Sequence, residues 1–230
     1  MKKIFEINGV FKTYHFLKRI NRFVVETEEG DLCHLHDPGR LNEILIKGAK
    51  IETILKNNGL KCEIISVENK NENIFINSKY HSKIAENLIL NKILNKNFLI
   101  KKREIIYKNS RLDFLLDLNG NNYYLEVKGC TLLDGDVAKF PDAPTKRGTK
   151  HINELVELKN SGNYSGILFL IFRNAKYFSP NYDTDKNFYY ALKNAIENKL
   201  DIFPVKLFFN GKEFFYNGTI NIKLDGPAGI

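Results

Sequence analysis

Two acidic residues and a lysine in the middle of the chain have the types and spacing needed for metal-dependent phosphate chemistry. Asp113 lies in the segment Arg111-Leu112-Asp113-Phe114, and Glu126 and Lys128 follow in the segment Leu125-Glu126-Val127-Lys128. Residues two apart on a strand point to the same face, so Glu126 and Lys128 should project together. If Asp113 faces the same side from a neighbouring strand, two carboxylates converge beside an ammonium group.

Carboxylates are natural ligands of Mg²⁺, which usually keeps several waters and binds phosphate oxygens. A metal held in this way lowers the pKa of a bound water and stabilises a phosphoryl transition state. We therefore predict that Asp113, Glu126 and Lys128 are catalytic, with Asp113 and Glu126 binding Mg²⁺ or Mn²⁺ and Lys128 positioning the attacking water. Glu86, on a preceding helix, is predicted as a third metal-binding acid. The alternative is a cross-strand salt bridge at the surface, which explains a Glu-x-Lys strand without catalysis.

A polar helix face follows this cluster in the sequence. Arg147, Lys150, His151 and Glu154 are spaced i, i+3, i+4, i+7 and therefore share one face of a helix. Near a helix N-terminus, the free N–H groups and the dipole favour an anion. The face is predicted to hold phosphate groups, with His151 as a phosphate ligand or proton shuttle. A solvated face with a Lys150–Glu154 ion pair, and an ordinary hydrogen-bonded histidine, remain equal alternatives.

The densest polar cluster of the first part is His34-Leu35-His36-Asp37-Pro38-Gly39-Arg40-Leu41. Its Arg40 follows a Pro-Gly turn and could contact a phosphate or pair with Glu43. This cluster, the helix and the segment before Asp113 together provide the predicted nucleic-acid-binding residues, which are His36, Arg40, Arg111, Lys146, Arg147, Lys150 and His151.

The net charge of the chain favours a polyanionic partner. The formal net charge is +8, from 35 basic and 27 acidic residues. Residues 1–78 contain 12 of the basic and 11 of the acidic residues, so most of the positive charge lies in residues 79–230. A nucleic-acid-binding surface is therefore expected mainly in the second part. A Lys-rich solvated surface explains the same charge equally well.

The elements that must position these residues change character near residue 78. The first part contains five or six short strands separated by turn-rich residues. These strands are predicted at Phe11–Lys18, Arg22–Thr27, Leu32–His36, Lys50–Leu55, Cys62–Val67 and Asn73–Ile76. So many short strands in about 75 residues indicate a small closed barrel, with an OB-fold as the leading case.

The second part alternates between the helical and the strand period. Its predicted elements are a helix at 79–96, strands at Glu104–Tyr107, Leu112–Leu118 and Tyr123–Cys130, a helix at 145–160, a strand at Ile167–Phe172, a helix at 185–199, and a strand at Ile202–Phe209 before a final hairpin. This order, αβββαβαβ, predicts an α/β domain with a mixed sheet. It resembles the αβββαβ core of the PD-(D/E)xK nuclease fold. We therefore predict an OB-like barrel at 1–78 and a nuclease-like domain at 79–230.

Several classes of protein are excluded by the sequence. Cys33, Cys62 and Cys130 are isolated and odd in number, which argues against a disulfide framework and a cysteine-rich zinc site. The N-terminal residues turn acidic before an apolar signal-peptide core can form. The longest apolar runs, such as Ile167–Phe172, are far shorter than the ~20 residues that span a bilayer. We expect a soluble cytoplasmic protein without membrane contact.

Four segments together resemble the sugar fermentation stimulation protein A (SfsA) family over nearly the whole chain. They are His34–Leu41, Arg111–Phe114, Glu126-Val127-Lys128-Gly129-Cys130-Thr131-Leu132, and Phe140-Pro141-Asp142-Ala143-Pro144-Thr145-Lys146-Arg147-Gly148-Thr149-Lys150-His151. The resemblance implies an N-terminal OB-like domain, a C-terminal PD-(D/E)xK nuclease-like domain and DNA binding. It also implies a historical link to maltose or other sugar metabolism.

The expected partner is double- or single-stranded DNA, bound through its backbone with little sequence preference because no base-reading helix is evident. One hypothesis is a Mg²⁺-dependent phosphodiesterase. A second is a non-catalytic DNA-binding regulator of sugar (maltose) metabolism genes, and a third is a structural or RNA-handling module. The oligomeric state is open, with a dimer as one possibility.

Overall fold

The computed structural model describes residues 1–226, in which seventeen strands form three sheets and three α-helices pack against them. The sequence predicts fraying of the tail at 226–230, and residues 227–230 lie outside this description. None of the three helices is both long and apolar enough to cross a membrane.

The first third of the chain forms the predicted barrel. After β1 (Lys2–Glu6), the barrel strands are β2 (Phe11–Asn21), β3 (Val24–Thr27), β4 (Leu32–His34), β5 (Lys50–Leu55), β6 (Cys62–Asn69) and β7 (Glu72–Phe75). The sheet order is β4-β3-β2-β5-β6-β7, and β4 also pairs with β6, which closes the ring. Alternating apolar side chains such as Tyr14, Val25, Ile51 and Ile64 fill the interior. The predicted OB-like fold is confirmed.

The barrel also joins two of the cysteines. Its closure places Cys33 of β4 opposite Cys62 of β6, with 4.7 Å between their Cα atoms and a disulfide between their sulfurs. The sequence argument against a disulfide framework therefore does not hold for this pair. The two residues are 29 positions apart in the chain, so only the closed strand pairing brings them together. Cys130 is free and buried.

The second part forms the predicted α/β domain. Its elements are α1 (His81–Leu90), β8 (Phe98–Tyr107), β9 (Ser110–Leu118), β10 (Asn121–Cys130), β11 (Leu132–Asp134), β12 (Val137–Phe140), α2 (Lys146–Asn160), β13 (Tyr164–Ile171), β14 (Tyr177–Pro180), α3 (Lys186–Glu197), β15 (Asp201–Phe209), β16 (Glu213–Thr219) and β17 (Asn221–Ile222). The large sheet has the order β1-β16-β15-β13-β10-β9-β8. It is mixed as predicted, since β13 runs parallel to β10 and β15 while the other pairs are antiparallel.

The N-terminal strand does not belong to the barrel. β1 pairs with β16 at one edge of the large sheet, although the sequence prediction assigned residues 1–78 to the barrel. Its Ile4 packs in the same apolar cluster as residues of the large sheet. The chain therefore starts in the large sheet, forms the barrel and then returns.

Helices cover both faces of the large sheet, so each side chain of β10 points toward the helices of one face. Ile84 and Leu88 of α1 pack in one apolar cluster with Leu125 and Val127 of β10. The helices α2 and α3 share a second cluster with the opposite face of β13. Because strand residues alternate, Glu126 and Lys128 point toward α2.

The first helix ends earlier than the sequence predicts. The pattern of apolar residues predicts a helix over 79–96, but α1 ends at Leu90. Lys92 adopts a left-handed backbone with φ 56°, and the Ile93 N–H donates to the Leu88 carbonyl at 3.0 Å. This arrangement closes a helix C-terminus, so Ile93 reaches the core from a turn.

The predicted loop between β10 and α2 contains a short hairpin. Strands β11 and β12 pair across a turn at Gly135, and a four-stranded sheet of order β11-β12-β14-β17 builds on them. This small sheet holds the segment Phe140–Thr145 beside the end of β10.

Candidate active site

Asp113 is fixed where β9 and β10 diverge. The two strands pair as far as Leu125 and Phe114. One residue further, the Asp113 Oδ2 accepts a hydrogen bond from the Val127 N–H at 2.7 Å. The side chain thus takes the place of a backbone partner, which orients the carboxylate at the end of the hairpin.

Glu126 is held by two bases and keeps one oxygen free. Its side chain is buried, and its Oε1 contacts the Lys128 ammonium and the His151 Nδ1, the latter at 2.5 Å. Within residues 1–226, the buried Oε2 has no hydrogen-bond partner. A buried carboxylate oxygen without a partner is costly, because it has lost its water and gained nothing in exchange.

His151 acts as a link between α2 and Glu126. The Arg147 Nε donates to the His151 Nε2 at 3.4 Å, so the ring proton lies on Nδ1 and is donated to Glu126. Thr145 caps the helix through a hydrogen bond from the Gly148 N–H to its Oγ1 at 3.0 Å. This cap sets where α2 begins and therefore which of its residues reach β10.

The two carboxyl groups differ in their protonation. Burial, followed by the negative charge of Glu126, raises the pKa of Asp113 from its ordinary value of 3.8 to about 7. Burial would also raise the pKa of Glu126, but Lys128 and the hydrogen bond from His151 outweigh it and lower the pKa. Of the two carboxyl groups, Asp113 is therefore the one that binds a proton near pH 7.

The carboxylates of Asp113 and Glu126 lie in a cleft of about 540 Å³ between the barrel and the α/β domain. Its walls come from four regions of the chain. They are Arg22 and Asp37–Gly39 of the barrel, Ser78, His81 and Ser82 around the start of α1, Arg111, Asp113 and Glu126–Leu132 of the hairpin, and Lys139–Thr145, Arg147 and Gly148 before and within α2. Both predicted catalytic acids and Lys128 line it, so the structure brings these three residues together.

The barrel loop in the cleft is held by a single arginine. Arg19 donates to four backbone carbonyls, at 2.7 Å to Gly39, 3.0 Å to Arg40, 2.8 Å to Arg22 and 3.1 Å to Asp37. The Arg40 N–H then donates to the Asp142 Oδ2 at 2.8 Å, which joins the barrel to the opposite wall.

The predicted nucleic-acid-binding residues divide into two groups. The first group is exposed at or beside the cleft and consists of Arg40, Arg111, Lys146, Arg147 and Lys150. Of these, Arg111 and Arg147 line it. The second group is withdrawn from the surface. His151 is 2% exposed and bonded to Glu126, and His36 lies 3.3 Å from the buried carboxylate of Glu63.

The polar face of α2 is divided between solvent and the interior, since Arg147 and Lys150 are exposed. His151 and Glu154 are both buried, whereas the sequence favoured either a phosphate-binding surface or a solvated one. His151 is buried because it lies on the side of α2 that faces the sheet, where the carboxylate of Glu126 on β10 gives it a charged partner.

Glu86 does not join the acidic pair. Its carboxylate contacts Lys83 and Arg103, and Glu86 is absent from the lining of the cleft. These two cations lower the pKa of Glu86 against the effect of burial. The structure therefore places the predicted third metal-binding acid away from Asp113 and Glu126. The sequence placed Glu86 on the polar side of a helix, but it could not show which side chains that polar side contacts.

Three acidic or histidine residues that line the cleft, His81, Asp37 and Asp142, were not predicted as site residues. His81, at the start of α1, packs against Gly129, where a side chain on residue 129 would collide with its ring. Burial and the charge of Lys128 lower the pKa of His81 to about 4, so its ring is neutral at pH 7. Burial and the charge of Asp142 raise the pKa of Asp37 to about 6. No spacing pattern connects these positions, since they lie on different elements.

The donor set at the end of the hairpin fits a hard divalent cation. Within the described chain, no group of three or more Asp, Glu, His and Cys side chains is arranged to enclose a metal. Mg²⁺ and Mn²⁺ do not need such a cage, because they bind through one or two carboxylates and keep several waters. The unpartnered oxygen of Glu126 and the raised pKa of Asp113 both show negative charge that lacks compensation. Asp113 and Glu126 are the residues that would hold such an ion.

This charge imbalance predicts a pH dependence of stability. Because the pKa of folded Asp113 exceeds its ordinary value, the folded state binds more protons between pH 4 and 7. The free energy of unfolding should therefore fall as the pH rises through this window. Without divalent ions, we expect Asp113→Asn to melt at least about 5 °C above the wild type at pH 8.

The measurement is thermal unfolding in EDTA at pH 5 and at pH 8. At pH 5, where wild-type Asp113 is already protonated, the two proteins should melt within about 2 °C of each other. Added Mn²⁺ should stabilise the wild type more at pH 8 than at pH 5. A melting temperature difference that does not change with pH would contradict the assignment.

An OB barrel joined to a mixed α/β domain, with an acidic pair and a lysine of a hairpin in the cleft between them, defines the class of protein. Two family models match. The "SfsA N-terminal OB domain" matches residues 17–76, and the "Sugar fermentation stimulation protein RE domain" matches residues 79–213. The chain belongs to the sugar fermentation stimulation protein (SfsA) family, as the sequence motifs indicate.

Curated relatives and a solved structure agree with this family. A sugar fermentation stimulation protein homolog of Methanosphaera stadtmanae is 47% identical over 206 residues, covering 84% of this chain and 85% of that protein. A homolog of Thermosipho melanesiensis is 42% identical over 217 residues, covering 92% and 94%. The structure of Pyrococcus furiosus SfsA in complex with Ca²⁺ superimposes with a TM-score of 0.91 at 28% identity, covering 97% of this chain and 100% of that chain.

Proposed function

We propose that this protein binds DNA through its sugar–phosphate backbone, with little sequence preference, and hydrolyses it with Mg²⁺ or Mn²⁺ at Asp113 and Glu126. The observation that carries the proposal is the buried, unpartnered Oε2 of Glu126 beside Asp113 in an open cleft. The Pyrococcus furiosus relative is described with bound Ca²⁺, which also prefers carboxylate oxygens and so supports a divalent ion here. We place this activity in the cytoplasm.

Each residue of the site has a separate task in this proposal. A divalent ion held by Asp113 and Glu126 would lower the pKa of a water and offset charge on the scissile phosphate. The ammonium of Lys128 lies against Glu126, where it orients the water and adds positive charge. His151 holds Glu126 in one orientation through its Nδ1–H.

Backbone binding is assigned to the exposed cations around the cleft. Arg111 and Arg147 line it and can each make two hydrogen bonds to a phosphate. Arg40 on the barrel loop and Lys150 on α2 extend the positive surface on either side. Contacts of this kind hold a duplex or a single strand without reading its bases.

Salt dependence tests the binding half of the proposal. The logarithm of the affinity for a labelled DNA should fall linearly with the logarithm of the salt concentration. Removal of one phosphate contact, as in Arg147→Ala, should make that slope shallower by about one. The measurement is fluorescence anisotropy from about 50 to 300 mM KCl. Lys176→Ala, which removes an exposed lysine outside the cleft, is the control and should keep the wild-type slope.

A salt-independent affinity would contradict both the nuclease and its main alternative. That alternative is a non-catalytic DNA-binding regulator of sugar (maltose) metabolism genes, which predicts the same slope but no cleavage. The unpartnered Oε2 of Glu126 favours the nuclease, because a purely structural acid would have both oxygens bonded.

A further inference from the structure

A second groove lies between α2 and α3, outside the catalytic cleft. Its volume is about 580 Å³. One wall is a face of α2 at i, i+3 and i+7, and the other is a face of α3 with the same spacing. These residues are Lys146, Thr149 and Asn153 on α2, and Asn187, Tyr190 and Asn194 on α3. None of the six belongs to the cleft that contains Asp113 and Glu126.

Among residues 1–226, the groove presents hydrogen-bonding groups and one cation, Lys146, that makes no ion pair. Asn153 and Asn187 are exposed, and in the described chain their side chains make no hydrogen bond. A carboxamide both donates and accepts, so it can pair with the edge of a base. The only acid of the groove, Asp185, uses its two oxygens on the N–H groups of Phe188 and Thr145. The ammonium of Lys146 therefore favours an anionic ligand.

An aromatic ring stands at the edge of the groove in a fixed position. Tyr190 is 52% exposed, yet its ring packs edge-on against Tyr182 and Tyr189 at centroid distances of 6.1 and 5.4 Å. Tyr182 in turn lies below the Lys186 ammonium, which is 5.2 Å from the ring centroid. An exposed ring held by its neighbours provides a ready stacking surface for a flat ligand.

The groove and the catalytic cleft have neighbouring residues at the start of α2. Thr145 and Arg147 line the cleft, and Lys146 between them lines the groove. A strand that leaves the cleft along the N-terminus of α2 would reach Lys146 with its next phosphates. The ligand that matches a flat aromatic surface, carboxamides and a cation is a nucleotide.

We propose that the groove between α2 and α3 binds an unpaired nucleotide of the strand held in the cleft, with its base stacked on Tyr190 and its phosphate near Lys146. This inference rests on the proposed function, because the cleft must hold the same strand. It assigns to the protein a preference for DNA with a single-stranded segment next to the bound site. The carboxamides of Asn153 and Asn187 meet the edge of the base.

The chain contains no tryptophan, which allows a direct test of stacking. In Tyr190→Trp, the new indole would be the only one in the protein. Addition of a single-stranded oligodeoxynucleotide of about 12 nucleotides should quench its fluorescence, because the base stacks on the indole. Tyr164→Trp is the matched control. Tyr164 is 45% exposed, pairs with Tyr123 at the start of β13 and does not line the groove. The emission of an indole at this position should therefore not change.

Binding by Tyr190→Ala gives a second readout. Its affinity for the same oligonucleotide should fall about five- to one-hundredfold, while its affinity for a fully paired duplex should stay within about twofold. Tyr190→Phe, which keeps the ring, should retain the wild-type affinity for both.

The outcomes separate this inference from the proposed function. If the oligonucleotide binds by anisotropy but does not quench Tyr190→Trp, the groove proposal is overturned while DNA binding stands. If no DNA binds at all, both fail. Quenching by a neutral oligosaccharide, which also stacks on aromatic rings, without quenching by the oligonucleotide would overturn the nucleotide assignment.

Discussion

Asp113→Asn should abolish metal-dependent cleavage of DNA and leave DNA binding almost unchanged. The asparagine keeps the size of the side chain and an oxygen for the Val127 N–H, but it removes one of two charges that would hold the cation. We expect the cleavage rate to fall at least about 100-fold, since the metal contributes several kcal/mol to the transition state. The affinity for Mn²⁺, measured by calorimetry, should fall at least about tenfold.

The matched control for this variant is Asp117→Asn on the same strand. Asp117 lies at the other end of the hairpin, where it pairs with Lys101 and accepts from the Gly120 N–H. It should cleave DNA and bind Mn²⁺ like the wild type. If Asp113→Asn keeps wild-type cleavage, the assignment of the metal-binding pair is wrong.

Lys128→Met should stop cleavage for a different reason. The ammonium contacts Glu126 and is the positive group beside the two carboxylates. Without it, the orienting charge on the water and on the phosphate is lost, which we expect to slow cleavage about 100-fold. The affinity for Mn²⁺ should stay equal or increase, because a cation that repels the metal has been removed.

The contrast between the two variants distinguishes a metal ligand from a residue that acts on the water. Mn²⁺ calorimetry and single-turnover cleavage on the same protein preparations measure both effects. Lys101→Met is the control, since Lys101 pairs with Asp117 far from the cleft. A Lys128→Met protein that loses Mn²⁺ binding together with cleavage would show that Lys128 only supports the structure of the site.

Much of the fold could be predicted because its elements have strong local patterns. The six barrel strands are all present, and the order αβββαβαβ describes the main elements of the second domain. Alternation along β10 also placed Glu126 and Lys128 on one face. What alternation could not supply is the small sheet of β11, β12, β14 and β17, whose strands are two to four residues long.

The missed features depend on contacts between distant parts of the chain. The disulfide of Cys33 and Cys62 follows from barrel closure, which no local pattern specifies. The helix that starts before Glu86 ends at Leu90 because a left-handed Lys92 closes it. The same holds at the site, where His151 meets Glu126 across 25 residues. Helical spacing identified the polar face of α2, but it did not show that His151 on this face turns toward Glu126.

Cleavage of DNA by the wild-type protein tests the central claim most directly. Labelled linear, branched and single-stranded DNA would be incubated with Mg²⁺, with Mn²⁺ and with EDTA, beside Asp113→Asn. The account predicts products from the wild type only, with either metal and not with EDTA. Salt-sensitive binding by both proteins without products from any substrate would contradict it and would favour the non-catalytic DNA-binding regulator.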